Sequence, residues 1–163
     1  MEKGAPIYIA GHTGLIGSAM MRLLSKRGFG SLIVCPHEVL DLTDSNAVEQ
    51  FFDRHTPQYV VLAAGKVGGI LENQAHPADF LTTNLSIQLN VLSSALRTGV
   101  KKTIFFGSSC MYPRDAMQPM SETALLSGIP EPTSLAYAIA KLAGVQMCIA
   151  YNQQIGEQRF LPV

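Results

Sequence analysis

The sequence carries little charge, and neither sign prevails. Charged residues make up 15% of the chain, with twelve basic and twelve acidic side chains and no basic block among them. Proteins that hold nucleic acid or an anionic membrane surface need a clustered positive field. We therefore expect neither nucleic acid nor a membrane as a partner.

Long apolar runs and a cysteine framework are also missing. The longest runs, such as residues 59–64, are far shorter than the roughly 20 residues that cross a bilayer, and the first residues lack the pattern of a secretory signal. Cys35, Cys110 and Cys148 are an odd number without metal-like spacing, and the histidines lack partners at ligand spacing, so no metal site is predicted. Reduced thiols are typical of a cytoplasmic protein, which is the location we expect.

What is present is an alternation of short apolar strands and longer amphipathic stretches. A length of 163 residues with 47% apolar side chains suits one domain whose sheet is buried on both faces. The pattern predicts strands over residues 7–10, 32–35, 59–64, 103–106 and 159–163, and helices over residues 15–24, 43–52, 77–97 and 134–153. The apolar stripe of the third helix is read as Phe80, Leu81, Leu85, Leu89, Leu92 and Leu96. Such alternation predicts an α/β fold with a doubly wound parallel sheet.

The glycine segment indicates which doubly wound fold this is. Alternation alone also fits a flavodoxin-like sheet, but residues 11–17 follow the first strand, open the first helix and space their glycines as G-x-x-G-x-x-G. Glycines there allow a tight turn and close backbone approach, while free N–H groups favour a pyrophosphate. The alternative is a turn that only lets helix pack on strand. We favour a Rossmann-type dinucleotide site whose contacts come from Gly11, Thr13, Gly14, Leu15, Ile16 and Gly17.

Asp41 follows the second strand and has two candidate roles. It could contact the adenine or its ribose, or it could cap the following helix. The sequence leaves both open.

A reactive set lies in the second half of the chain. Tyr137 and Lys141 are four residues apart on a predicted helix, so they share one face. An ammonium close by, together with a nicotinamide cation, would lower the pKa of the phenol, which could then protonate a substrate carbonyl as hydride arrives at carbon. Ser108, just past the fourth strand, could hydrogen-bond the same oxygen. Cys110 is either a small buried side chain or a thiol acidified enough to act as a base.

Several segments resemble the GDP-L-fucose synthase family, in the extended branch of the short-chain dehydrogenases/reductases. The similarity runs almost the length of the chain and is carried by residues 63–70, 77–80, 107–113, 118–120, 131–133 and 137–141.

The resemblance implies an enzyme that epimerises GDP-4-keto-6-deoxy-D-mannose at two sugar carbons and then reduces the ketone with NADPH. It implies Ser108, Tyr137 and Lys141 as the reductive set and Cys110 as the group that exchanges protons during epimerisation. Ala63, Ala64, Tyr137 and Lys141 would add cofactor contacts.

The chain departs from the family at two points. The usual arginine after the second strand falls at Cys35, and Thr13 replaces a basic residue, so NADH remains an alternative to NADPH. The family is also about twice as long. We expect residues 1–163 to be its dinucleotide-binding domain, without the substrate domain and the catalytic histidine held there, and so to turn over negligibly alone.

Two other functions remain open from the residues alone. One is a dinucleotide-binding protein without catalysis, and the other is a related nucleotide-sugar epimerase or dehydratase. The resemblance further implies a homodimer formed through two helices of this half. An uncovered last strand predicts a chain that tends to self-associate.

Overall fold

The computed structural model describes all 163 residues as one parallel sheet with helices on both faces. The strands are β1 (Ile7–Ala10), β2 (Leu32–Ile33), β3 (Tyr59–Leu62), β4 (Lys102–Phe105) and β5 (Phe160–Pro162). The helices are α1 (Leu15–Lys26), α2 (Ser45–His55), α3 (Ile70–Ala75), α4 (Pro77–Arg97) and α5 (Leu135–Ile155).

The strands pair in the order β2-β1-β3-β4-β5, all parallel. The chain leaves β1 towards β2 on one side and returns to place β3 on the other, so the order reverses between β1 and β3. In open α/β sheets, ligands bind outside the carboxyl ends of the strands at this switch point. The predicted doubly wound sheet is confirmed, although flavodoxin-like sheets have the same strand order.

Side-chain alternation along β1 and β3 builds a core on each face of the sheet. Tyr8 and Leu62 point to the larger core, which takes its other apolar side chains from α2, α4 and α5. Ile9 and Val61 point to the smaller core, which Leu24 of α1 helps to cover. Both strands are buried throughout because helices cover both faces.

Two strands end two residues earlier than the sequence predicts. β2 stops at Ile33 rather than Cys35, and β3 stops at Leu62 rather than Ala64. Pro36 has no N–H to donate to a neighbouring strand, and residues 63–67 turn away from the sheet to line a cavity. The shortened ends therefore lie where the strands give way to the candidate site.

The buried face of α4 differs from the predicted leucine stripe. The structure buries Phe80, Asn84, Ile87, Gln88, Val91, Leu92, Ser94 and Ala95, whereas Leu89 is 53% exposed. Asn84 and Gln88 can lie on the buried face because each donates a hydrogen bond to a backbone carbonyl there. Of the predicted stripe, Phe80 and Leu92 are buried and Leu96 packs against the larger core. Leu81 and Leu85 are only half-buried and Leu89 is exposed, because the periodicity counted only apolar residues.

The short helix α3 was not predicted. It begins after Gly69, and the side-chain amide of Asn73 donates hydrogen bonds to the carbonyl oxygens of Gly68 and Gly69 at 3.1 Å. This one asparagine holds the first turn together in a segment whose glycines otherwise indicate a loop.

The helix α5 corrects the expectation about apolar segments. An 18-residue window within residues 132–155 has a mean hydropathy of 1.3, so by length and composition alone this helix could cross a membrane, although uninterrupted runs are short. In the structure α5 packs against α4 and β5. Core helices of α/β proteins meet the same criterion because they are buried against a sheet.

Gly144 of α5 permits the close approach of that helix to the sheet. A Cβ at this position would lie 2.8 Å from Cε1 of the Phe105 ring in β4, still closer to Cζ of that ring, and 2.5 Å from Oε1 of Gln88 in α4. A side chain of any size therefore overpacks the contact among α4, α5 and the sheet.

We expect Gly144→Ala to lower the free energy of unfolding by about 1–3 kcal/mol. In a helix without close neighbours, replacing glycine by alanine raises stability by roughly 1 kcal/mol. A loss of stability would therefore show that overpacking outweighs helix propensity at this position. Urea unfolding of the purified chain measures the difference. Gly69→Ala, whose Cβ would meet nothing within 4 Å, is the control and should stay near the native value. A stabilising Gly144→Ala would contradict this packing.

Candidate active site

A cavity of about 770 Å³ opens at the carboxyl ends of β1 and β3, at the switch point of the sheet. Eight of the predicted cofactor residues line it: Gly11, Thr13, Gly14, Leu15, Ile16, Asp41, Ala63 and Ala64. Gly17 is buried beneath the turn, and Tyr137 and Lys141 lie outside the lining. The fold therefore brings the glycine turn, the end of β3 and the segment before α2 around one space.

Gly11 and Gly17 are required by the backbone of the turn itself. Gly11 has φ +82°, and a Cβ there would lie 2.7 Å from the amide nitrogen of Ala64. A Cβ on Gly17 would lie 2.7 Å from the carbonyl carbon of Gly11 and still closer to its oxygen. These glycines let β1, α1 and the end of β3 meet without side chains between them.

Gly14 has a different role, because its missing side chain leaves space on the cavity side. Its Cβ would touch only the carbonyl oxygen of Gly11, at an ordinary 3.4 Å. Gly14 is the N-cap of α1 and offers no side-chain cap, so the N–H groups of Leu15, Ile16 and Gly17 have no acceptor within the chain. Free N–H groups at a helix N-terminus, beside an open cavity, fit a pyrophosphate.

Asp41 does not cap α2, so that alternative from the sequence is wrong. The cap is Asp44, whose carboxylate accepts the N–H of Ala47. Asp41 Oδ1 instead accepts the N–H and the hydroxyl of Thr43, both at 2.8 Å, and these bonds hold its pKa below the usual value. An ionised, exposed Asp41 therefore faces the end of the cavity nearest β2.

The three candidate cysteines occupy different surroundings. Cys148 is fully buried in the larger core, as expected for a packing residue. Cys35 is half-buried: it packs against the edge of the larger core and also lines the cavity. Cys110 is half-buried beside Ser108, whose Oγ accepts the Cys110 N–H at 3.2 Å.

Ser108, Cys110 and Tyr137 lie together beyond the end of β4. Burial raises the pKa of the Tyr137 phenol, the nearby Ser108 hydroxyl opposes that rise, and Cys110 adds to it. The expectation of a lowered phenol pKa applies to the site with a nicotinamide cation bound and stays a prediction; in the chain by itself the pKa is raised. The Lys141 ammonium, 6.0 Å from the phenol ring centroid, donates its hydrogen bond to the carbonyl of Phe106 instead.

Lys141 connects this cluster to the cavity. Its side chain is 5% exposed, and Nζ donates to the Phe106 carbonyl at 2.9 Å and lies 4.9 Å from the ring centroid of Phe105. A Cβ on Gly65, a residue of the cavity wall, would lie 3.9 Å from Nζ. Burial lowers the pKa of the amine to about 8, so it is still mostly protonated at neutral pH.

Asn84 is the positioning residue that sequence reasoning missed. It is 1% exposed; its Oδ1 accepts the N–H of Lys66 at 3.0 Å, and its Nδ2 donates to the carbonyls of Lys66 and Phe80. One amide thus pins the segment after β3, which forms the cavity wall beside Lys141. A polar residue four positions after Phe80, on the same helix face, was the available signal.

The geometry is that of a dinucleotide site next to a serine–tyrosine–lysine cluster. Residues 7–161 match the NAD dependent epimerase/dehydratase family, and the chain belongs to this family. Within it, the chain is similar to GDP-L-fucose synthases. It is 53% identical to GDP-L-fucose synthase 1 of Arabidopsis thaliana over 95% of this chain and 48% of that protein.

Two further relatives agree with this assignment. The chain is 47% identical to the GDP-L-fucose synthase of Escherichia coli, over 92% of this chain and 47% of the relative. A solved structure of MlghC, a GDP-mannoheptose C4 reductase from Campylobacter jejuni with NADP bound, is also similar. It is 41% identical to this chain, with a TM-score of 0.95, and the match covers 99% of this chain and 51% of the MlghC chain. The chain spans about half the length of the relatives it matches, and the Rossmann-type fold is confirmed.

The burial of Lys141 predicts a stability effect that depends on pH. The amine has a pKa of about 8 in the folded chain and roughly 10.4 when unfolded. Between these values the unfolded chain binds more protons, so the free energy of unfolding contributed by Lys141 rises with pH; below about pH 8 the full penalty is present.

We expect Lys141→Met to have a higher free energy of unfolding than the native chain at pH 7. The gain is up to about 3 kcal/mol from removing the buried charge, reduced by the loss of the hydrogen bond to Phe106. The advantage should shrink by pH 10. Urea unfolding at both pH values measures it, with the exposed Lys26→Met as control. An equal difference at the two pH values would show that the burial penalty is not what distinguishes the variant.

Proposed function

We propose that residues 1–163 are the dinucleotide-binding domain of a GDP-L-fucose synthase-type enzyme, with the substrate domain outside this chain. The observation that carries the proposal is the cavity at the switch point, lined by the glycine turn and separated by the Gly65 backbone from the buried Lys141. A protein that only bound a dinucleotide would have no use for a buried lysine beside a serine–tyrosine pair. The identity to GDP-L-fucose synthases supports the substrate class.

NADPH is the cofactor we propose, with NADH as the alternative. The pyrophosphate would lie on the free N–H groups of Leu15, Ile16 and Gly17, over the gap left by Gly14. Ala63 and Ala64 would form the wall under the nicotinamide ribose, and the segment from Cys35 to Asp41 would face the adenosine. When bound, the cofactor supplies the hydride for ketone reduction.

The chain's own residues would handle the proton. Because the pKa of Tyr137 lies above its usual value, the phenol is protonated at neutral pH and suited to donate to the substrate's carbonyl oxygen. The Ser108 hydroxyl is placed to hydrogen-bond the same oxygen, and the Lys141 ammonium favours the phenolate that remains. Cys110, held beside Ser108, is the candidate for proton exchange at the sugar carbons.

Reduction of another GDP-sugar is the second candidate function. The Campylobacter jejuni structure, whose printed function is reduction of GDP-mannoheptose at C4, is 41% identical to this chain. Both reactions need a proton donor to a carbonyl oxygen, so the cluster of Ser108, Tyr137 and Lys141 serves either.

The family resemblance also leads us to propose a cytoplasmic homodimer that uses two helices of this domain. The exposed Leu89 of α4 and Ile149 of α5 are apolar side chains available for such a contact. The sedimentation coefficient of the purified chain tests this.

Dinucleotide binding tests the first part of the proposal. We expect Gly14→Val to weaken NADPH binding by at least about 30-fold, because the side chain fills the space over the helix N-terminus while its Cβ touches only the carbonyl oxygen of Gly11. Fluorescence titration of the purified chain measures the dissociation constant. Gly4→Val is the control, since its Cβ would meet nothing within 4 Å. A folded Gly14→Val that binds as tightly as the native chain would place the pyrophosphate elsewhere.

The reaction is tested in a chimera that joins this chain to the remaining half of the Escherichia coli relative. We expect it to oxidise NADPH with GDP-4-keto-6-deoxy-D-mannose, and Tyr137→Phe to lower kcat by about 10²–10⁴-fold. The control is Tyr151→Phe, whose hydroxyl contacts Ser93 away from the cavity. GDP-4-keto-mannoheptose as a second substrate separates the two candidates, and undiminished turnover by Tyr137→Phe would refute its assigned role.

A further inference from the structure

The end of the cavity nearest β2 contains carboxylates but no fixed positive charge. Its lining includes Glu38 and Asp41, both exposed, and neither arginine nor lysine occurs among residues 35–43. The one lysine of the cavity, Lys66, follows β3, and its Nζ lies 5.3 Å from the ring centroid of Phe80 in α4. That cation is therefore engaged on the far side of the switch point.

This end is where an adenosine ribose would lie. When a pyrophosphate occupies the turn after β1, the ribose reaches the residues that follow the second strand. A carboxylate there accepts the 2′-hydroxyl of an NAD-type dinucleotide, whereas a cation there holds the 2′-phosphate of an NADP-type dinucleotide. Two carboxylates without a fixed cation would repel that phosphate.

His37 is the one side chain of this segment that can carry a positive charge. It is exposed and lines the cavity, and its charge contributes to the lowered pKa of Asp41, so the two are neighbours. The other titratable side chains of the lining on this side are Cys35 and Glu38 on its own segment, His12 in the glycine turn and Tyr8 in β1. Within residues 35–43, imidazole protonation is thus the source of positive charge.

We propose that His37 determines the selectivity of this site for a 2′-phosphate, so that the preference for NADP(H) over NAD(H) depends on its imidazole. The inference rests on the proposed dinucleotide binding and names the residue that selects the cofactor.

The expected selectivity follows from what the 2′-phosphate would meet at this end of the cavity. The His37 imidazole can donate a hydrogen bond to a phosphate oxygen. Without that imidazole, the phosphate faces Glu38 and Asp41 with no compensating side chain from residues 35–43.

The test is calorimetric titration of the purified chain and its variants with NADP⁺ and with NAD⁺ in one buffer. The ratio of the two dissociation constants cancels contacts that the dinucleotides share. We expect His37→Ala to lower the preference for NADP⁺ about tenfold, as for loss of one charged hydrogen bond. His37→Arg should keep the preference, because a guanidinium also binds a phosphate.

Three results decide the matter. His76→Ala changes an exposed histidine outside the cavity lining and should keep the native ratio. A ratio that is unchanged in His37→Ala overturns the assignment of His37 while leaving dinucleotide binding intact. Binding of neither dinucleotide by a chain that unfolds cooperatively in urea would instead refute the proposed function, and this inference with it.

Discussion

The structure depends on the absence of side chains where β1 turns into α1. Gly17 lies against the Gly11 carbonyl, and Gly11, at φ +82°, lies against the backbone of residues 63 and 64. Any Cβ at either position would push β1, α1 and the end of β3 apart. Since these three elements meet at the switch point, the same constraint shapes the fold and opens the cavity. Gly14, in the same turn, is free of that constraint and leaves room for a ligand.

Two buried asparagines fix the segments that glycine leaves free. Asn84 of α4 pins both backbone groups of Lys66 after β3, and Asn152 of α5 accepts the N–H groups of Arg159 and Phe160 and donates to the Phe160 carbonyl. Each side-chain amide supplies the hydrogen bonds that a neighbouring strand would otherwise make with these backbone groups. A buried hydrogen-bonded amide thus does here what apolar packing does elsewhere in the core, and it sets position as well as stability.

The cluster at the end of β4 departs from what stability alone would select. Lys141 is buried with one carbonyl partner, and its lowered pKa records the free energy that burial of the charge takes from the folded state. Tyr137 is half-buried, which keeps its phenol protonated. Strain of this kind is typical of sites where chemistry requires a charge in a poorly solvated place. The proposed transfer of a proton from the phenol to the substrate depends on both the buried charge of Lys141 and the protonated phenol of Tyr137.

The sequence by itself determined the parallel sheet, the glycine turn and the identity of the serine, tyrosine and lysine, because strand propensity, turn geometry and spacing along a helix are properties of near neighbours in the chain. Only the tertiary structure decided which face of α4 is buried, that residues 70–75 form a helix, that Asp44 rather than Asp41 caps α2, and that the pKa of Tyr137 rises. These depend on desolvation and on hydrogen bonds whose partners are brought together by folding. A pattern of apolar residues cannot predict the burial of an amide such as Asn84. That burial is stabilised by hydrogen bonds to a backbone segment 18 residues away, which only the folded chain brings close.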